Sequence, residues 1–160
     1  MNGDSSPMTP TLTDLNHDHM RVRYQTMQAF ISAGQSSLPA LQAALTPDHD
    51  KEIRWRAAAA LAWIGDPAVI PALVQASHGA GYELKYNCIW GLGQIGDPTA
   101  IPALQAIVDA DDSESPDVRY NAALALLRLG QSASLHAGLN SHAEATYRVA
   151  HAALAAAPYL

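Results

Sequence analysis

Residues 63–73 read WIGDPAVIPAL, and residues 94–104 read QIGDPTAIPAL. The frame I-G-D-P-x-x-I-P-A-L returns after 31 positions. A repeat of that length signals a solenoid of stacked helix pairs, each too small to bury its apolar face alone. Within the frame, Gly65 and Gly96 are placed to end one helix, since glycine takes a left-handed conformation without steric cost. Asp66 and Asp97 then stand as N-caps of a second helix, with Pro67 and Pro98 at its first position. Pro71 and Pro102 recur four residues on, so either the second helix starts there or its first turn is distorted.

The pattern extends outward from these two units. Gly34 lies 31 residues before Gly65, and Gly130 lies 34 after Gly96. The three extra residues fall in the polar stretch DADDSES at 109–115, a lengthened loop. Ser115-Pro116 supplies the cap-then-proline start of the fourth unit. The first unit is degenerate, with GQSSLPAL in place of GDPxxIPAL, and ATYRVAHAALAAA at 145–157 echoes VRYNAALALLRLG before the chain stops. The units are expected at about 17–46, 48–77, 80–110 and 115–139, with a half-unit at 143–157. Together they make one domain over 14–160, preceded by a disordered Ser/Pro-rich leader at 1–13.

The arrangement V-R-x-x-A-A-x-A-L-x-x-I-G-D-P-x-x-I-P-A-L resembles HEAT-like repeats of the phycobilisome-lyase type over roughly residues 17–157. The resemblance implies an all-α, right-handed α-α superhelix of about four helix pairs plus a C-terminal half-repeat. Its defining residues build the repeat, so it implies little about function. It also implies that the variable columns of the first helices line a concave, partner-binding surface.

Counting back from each glycine at about 100° per residue separates two faces of the first helices. Ile53, Ala57, Ala60, Leu61 and Ile64 share one face, as do Leu84, Cys88, Gly91, Leu92 and Ile95, and Val118, Ala122, Ala125, Leu126 and Leu129. This is the expected core, and Cys88 in an alanine column reads as a small buried residue. The other face carries Trp55, Ala59 and Trp63; Tyr86, Trp90 and Gln94; Tyr120, Leu124 and Arg128; and Tyr24, Gln28 and Ser32. The regular aromatics Tyr24, Trp55, Tyr86 and Tyr120 serve equally well as a partner surface or as glue between units. Trp63 and Trp90 break their columns and fit a recognition hot spot better than a frame. The basic column, Arg23, Arg54, Lys85 and Arg119, is expected to form a ladder to carboxylates or backbone between units, near the recurring Asp66 and Asp97.

Composition narrows the functions. The net charge of −6 argues against a general affinity for nucleic acid or anionic membrane. One cysteine excludes an internal disulfide framework, and no apolar run approaches the roughly 20 residues of a membrane span, so a cytoplasmic protein is expected. GLGQIG at 91–96 matches a dinucleotide fingerprint, yet it sits at a helix end and not after a strand. His17, His19 and His49 fall in equivalent loops and read as solvated cap residues. The deoxyhypusine hydroxylases, HEAT-like metalloenzymes, carry repeated His-Glu pairs, and this chain has none. His151, among alanines, reads as a packing residue, and the acidic loop Asp109, Asp111, Asp112 and Glu114 as solvated. No catalytic, cofactor or metal residues are expected.

The sequence therefore predicts a non-catalytic adaptor, scaffold or chaperone-like module. Another protein would be held by Trp55, Trp63, Tyr86, Trp90 and Tyr120, with Leu124, Arg56, Asn87, Asn121 and Arg128 beside them. The Ala-rich C-terminal end lacks a polar cap and is expected to be covered by a partner or a second copy. Two alternatives stand. Relatives of this repeat type attach or detach bilins on phycobiliproteins, which implies a bilin lyase subunit or a phycobilisome assembly factor, with a phycobiliprotein as partner. A HEAT-type nucleic-acid binder conflicts with the acidic balance.

Overall fold

A computed structural model describes residues 10–79, 81–110, 114–138 and 144–159. Among these residues the chain is helical and no strand occurs. A 3-10 turn over Leu12–Asn16 leads into α1 (Met20–Ala33) and α2 (Leu38–Ala43). The next pairs are α3 (Lys51–Ile64) with α4 (Ile70–Ser77), and α5 (Tyr82–Ile95) with α6 (Ile101–Asp109). Then come α7 (Pro116–Arg128), α8 (Ser132–Gly138) and α9 (Glu144–Ala156). The expected leader mostly lies outside the described residues. Its last positions do not: the 3-10 turn begins at Leu12, and Leu15 in that turn is fully buried.

The Gly-Asp-Pro turns explain why the two central units each fold into two helices. Gly65 and Gly96 close α3 and α5 in the left-handed region, both at φ 75°. The Asp66 carboxylate accepts from Ala68 N–H at 2.9 Å, and Asp97 accepts from Thr99 N–H at 2.8 Å. The backbone beyond these caps accommodates both prolines of each frame. Pro67–Val69 and Pro98–Ala100 form single 3-10 turns, and the α-helix proper starts at Ile70 or Ile101, one residue before the second proline. Both prolines thus sit where a first-turn N–H has no helical partner to lose.

The first helices α1, α3, α5, α7 and α9 pack side by side in chain order. The second helices α2, α4, α6 and α8 form the other layer, each seated on the first helix of the following unit. The first layer is pressed to backbone contact by small residues. A Cβ at Gly91 would stand 2.9 Å from the Ala62 Cβ of α3, and one at Gly93 would stand 2.8 Å from the Ala125 Cβ of α7. With Gly96 ending the helix, all three glycines of GLGQIG have structural tasks.

The core is the face expected from the periodicity. Ile53, Ala57, Leu61, Leu84, Cys88, Leu92, Val118, Ala122 and Leu126 are buried, and Leu73 and Leu104 close over them from the second layer. Each such leucine contributes about 1.5–3 kcal/mol by leaving water. Ile64, Ile95 and Leu129, in the last turns, are only half-buried against it. Burial pushes the Cys88 thiol up to about 12, with the nearby Arg54 charge opposing, so the thiolate is not populated at neutral pH.

Candidate functional site

The basic column is bonded mainly to backbone. Arg54 Nε donates to the Leu45 carbonyl at 3.1 Å, and Arg119 Nε and a terminal nitrogen donate to the Val108 carbonyl at 3.1 and 2.8 Å. Each thus caps the C-terminal end of the preceding unit's second helix, where unsatisfied carbonyls concentrate partial negative charge. Arg23 donates to the His17 and Asp18 carbonyls of the loop that enters α1, with no second helix before it. Arg119 is completely buried and also donates to Thr146 Oγ1 of α9 at 3.0 Å. Lys85 departs from the pattern and pairs with Glu114 at 2.7 Å. Glu114 is therefore an inter-unit rung and not a merely solvated loop residue. Its partial burial pushes its carboxyl upward, but bonds from Lys85 and the Ser115 N–H, with the Lys85 charge, bring it below the usual value. Asp66 and Asp97 take no part in this ladder: both are occupied as caps, and Asp66 also accepts from Gln35 of the preceding unit at 3.1 Å.

The opposite face of the first helices carries the expected aromatic stripe, and it divides in two. Trp55 and Tyr120 are half-buried and packed against the core. Trp55 is further fixed by its own helix: its indole N–H donates to Glu52 at 3.1 Å, and the Arg56 guanidinium lies 4.3 Å over its ring. Arg56 is ion-paired to the same Glu52 at 2.8 Å. Partial burial, opposed by Glu52, lowers the Arg56 pKa, and Arg23 adds to the lowering. Tyr24 and Tyr86, from the same regular column, are exposed instead. Leu124 is half-buried against the core, and Arg128 is exposed at the end of α7. Asn87 and Asn121 donate to the carbonyls of Glu83 and Asp117 one turn earlier, so part of their hydrogen-bonding capacity is spent within the helix.

Trp63 and Trp90 meet. Their ring centroids lie 5.5 Å apart with planes inclined by 59°, joining α3 to α5 on the outer side of the layer. Trp63 remains 59% exposed, the most open of the three tryptophans, and neither ring belongs to the core. Tyr86 stacks on Tyr82 at 6.2 Å, and Tyr82 is half exposed. Sequence reasoning passed over Tyr82, although Tyr82, Tyr86 and Trp90 have the i, i+4, i+8 spacing of one helix face. The described geometry is thus two aromatic pairs: Tyr82 with Tyr86 along α5, and Trp90 of α5 with Trp63 of α3.

The remaining candidates are local. The His17 ring accepts from the His19 N–H at 3.0 Å, and the two rings stack at the entrance to α1. His49 approaches Thr46 in its loop at 3.5 Å. Among the described residues no group of three or more His, Cys, Asp or Glu side chains is placed to hold a metal ion. His151 is exposed and stacks on Tyr147, so it is not a packing residue of the interior. Asp109 accepts from Gln105 at 3.0 Å, while Asp111 and Asp112 lie outside the described residues.

Helix pairs stacked side by side, the two central ones turned by Gly-Asp-Pro and the stack tied by cation rungs, define an α-solenoid. The family model for HEAT repeats matches residues 9–81 and 76–157, and the chain belongs to that family. No curated protein sequence matches it significantly. Among solved structures, human deoxyhypusine hydroxylase in complex with glycerol superposes with a TM-score of 0.65 at 25% identity, over 81% of this chain and 46% of that one. The complex of CpcE and CpcF of phycocyanin lyase from Nostoc sp. PCC7120 superposes with a TM-score of 0.62 at 19% identity, over 100% of this chain and 69% of that one. The chain thus spans less than half the length of the hydroxylase, and its likeness to the lyase complex is one of fold. No helix among the described residues is long and apolar enough to cross a membrane.

Proposed function

We propose that this HEAT-repeat chain is a non-catalytic interaction module that holds another protein on the aromatic surface of its first-helix layer. The observation that carries this reading is the Trp63–Trp90 pair: two large rings in contact across units, outside the core, with Trp63 mostly in solvent. Aromatic side chains standing outside a core, with cations at their margin, have the composition of binding hot spots. Arg56 and Arg128 supply those cations in a chain of net charge −6. The tight contact of the first helices at Gly91 and Gly93, against second helices that pack on the next unit and little on one another, favours a curve that puts this layer inside. The partner-binding set comprises Trp63, Trp90, Tyr86 and Tyr82 at its centre, with Arg56, Asn87, Asn121 and Arg128 around them. Trp55, Tyr120 and Leu124, half-buried against the core, complete the set.

Affinity capture from a source lysate with the native chain and the Trp63→Ala/Trp90→Ala double variant tests the reading. The variant should keep its helical circular dichroism and its melting temperature within a few degrees while losing the captured protein. A collapse of the fold would place both rings in the frame and end this assignment. Mixing the native chain with a free bilin, and seeing no shifted visible absorption band, separates this function from a lyase-type one.

A further inference from the structure

One rung of the basic column is left open. Lys85 donates to Glu114 at 2.7 Å and Arg119 donates to Thr146 at 3.0 Å, so each reaches an oxygen presented by a neighbouring segment further along the stack. Arg54 finds no such oxygen. Gly79 lies beside it instead, close enough that a Cβ built there would be 3.4 Å from an Arg54 terminal nitrogen. The Arg54 Nε is bound to the Leu45 carbonyl, but among the described residues neither terminal nitrogen has a hydrogen-bond partner.

Arg54 and Gly79 both line a cleft of about 220 Å³ between the C-terminal ends of α2 and α4. Gln42, Thr46 and Gln75 bring further polar groups to its wall, and Leu45, Pro47, Ala72 and Ala76 complete it. No carboxylate is among the lining residues. The cleft is smaller than the roughly 300 Å³ at which pockets for drug-sized ligands begin, so it suits a group the size of one acidic side chain.

We infer that this cleft binds a carboxylate, held by the free edge of the Arg54 guanidinium with the Gln42 and Gln75 amides beside it. The guanidinium fork matches the two oxygens of a carboxylate, and such charge-assisted bonds are among the strongest available to a half-buried site. The stack itself uses this chemistry at the next rung, where the carboxylate of Glu114 closes on Lys85. The cleft lies among the second helices, away from the aromatic surface, so it stands or falls independently of the proposed interaction face. The carboxylate is carried either by a small free acid or by a peptide.

Titration of the isotope-labelled full chain, followed by NMR, distinguishes these sources. The probes are sodium glutarate, a tri-alanine peptide with a free C-terminal carboxylate, and its C-terminal amide, with sodium chloride at matched ionic strength as control. Saturable shifts at Arg54 Nε–H, Gln75 and Gly79 are expected with glutarate or with the acid peptide, and not with the amide or chloride. Tighter binding of the peptide marks a peptide-borne group, and tighter binding of glutarate marks a free acid. Arg54→Gln should weaken binding about tenfold or more. Because that change also removes the bond to Leu45, Gln75→Glu provides the second variant: its resident carboxylate should block added glutarate while the melting temperature holds or rises. Shifts that stay linear in concentration and equal those of chloride, or glutarate binding that survives in Gln75→Glu, would overturn the inference.

Discussion

Trp55 and Trp63 stand two turns apart on α3, yet one is built into the stack and the other stands outside it. Trp55 repeats in every unit as an aromatic, packs on the core and has its indole N–H bonded to Glu52. Trp63 has Ser32, Gln94 and Arg128 as its counterparts, stays outside the core and sets its ring against another non-repeating tryptophan. A side chain that recurs with the fold tends to be needed by the fold, since every unit poses the same packing problem. One that breaks the recurrence solves no packing problem, and a different selective reason has to account for it. Tyr86 limits this rule: it recurs, yet it is exposed, so recurrence identifies the position and not its burial.

The contrast between frame and surface can be broken by mutation, beginning with the most buried part of the frame. Arg119→Ala should cost about 3 kcal/mol in urea unfolding, because it strands the Val108 carbonyl and leaves a void among buried groups. A loss under about 1 kcal/mol would mean that water replaces the guanidinium there. Gly93→Ala comes next. Alanine gains about 1 kcal/mol in helix propensity, but its Cβ would lie 2.8 Å from that of Ala125. Overpacking of this kind costs about 1–3 kcal/mol, so thermal melts should show a net loss, with α5 and α7 forced apart.

Smaller effects belong to the edge of the frame. The Lys85–Glu114 rung should contribute no more than about 1 kcal/mol, since both groups retain contact with water. Its pH dependence has a definite sign. The folded-state pKa of Glu114 lies below the usual 4.5, so the contribution is present above that value and disappears as the pH falls through the lower folded one. Stability measured against pH should show the gap between the native chain and Glu114→Gln closing in that acid range. Smallest of all, Trp63→Ala should change stability by under about 1 kcal/mol, the size of one aromatic pair contact, while abolishing partner capture.

The repeat was legible because its residues act locally. Gly65 ends a helix and Asp66 caps the next turn whatever surrounds them, and the apolar columns come from helical geometry alone. The rungs were half legible. The basic column announced an inter-unit bond to carboxylate or backbone, and both kinds form, but Asp66 joins neither because its carboxylate is engaged by the Ala68 N–H. Helix-end carbonyls such as those of Leu45 and Val108 carry no sequence mark as acceptors. The aromatic surface was least legible. Trp63 and Trp90 lie on different turns of different helices, and their meeting depends on the stagger between α3 and α5, which Gly91 and Ala62 set through backbone contact. Tyr82 needed only its spacing from Tyr86 and was passed over because it precedes the first column of the unit.

The seating of each second helix on the first helix of the next unit has a consequence for where the molecule can be divided. The repeat as written in the sequence begins at a first helix and ends with a second one, but the packed unit is offset by half a period. α4 belongs with α5 and α6 with α7 more than either does with its own predecessor. A duplication or excision that respects the three-dimensional joints should therefore be cut at the Gly-Asp-Pro turn, inside the written repeat. A cut between α2 and α3 or between α6 and α7 would separate surfaces that fold as one.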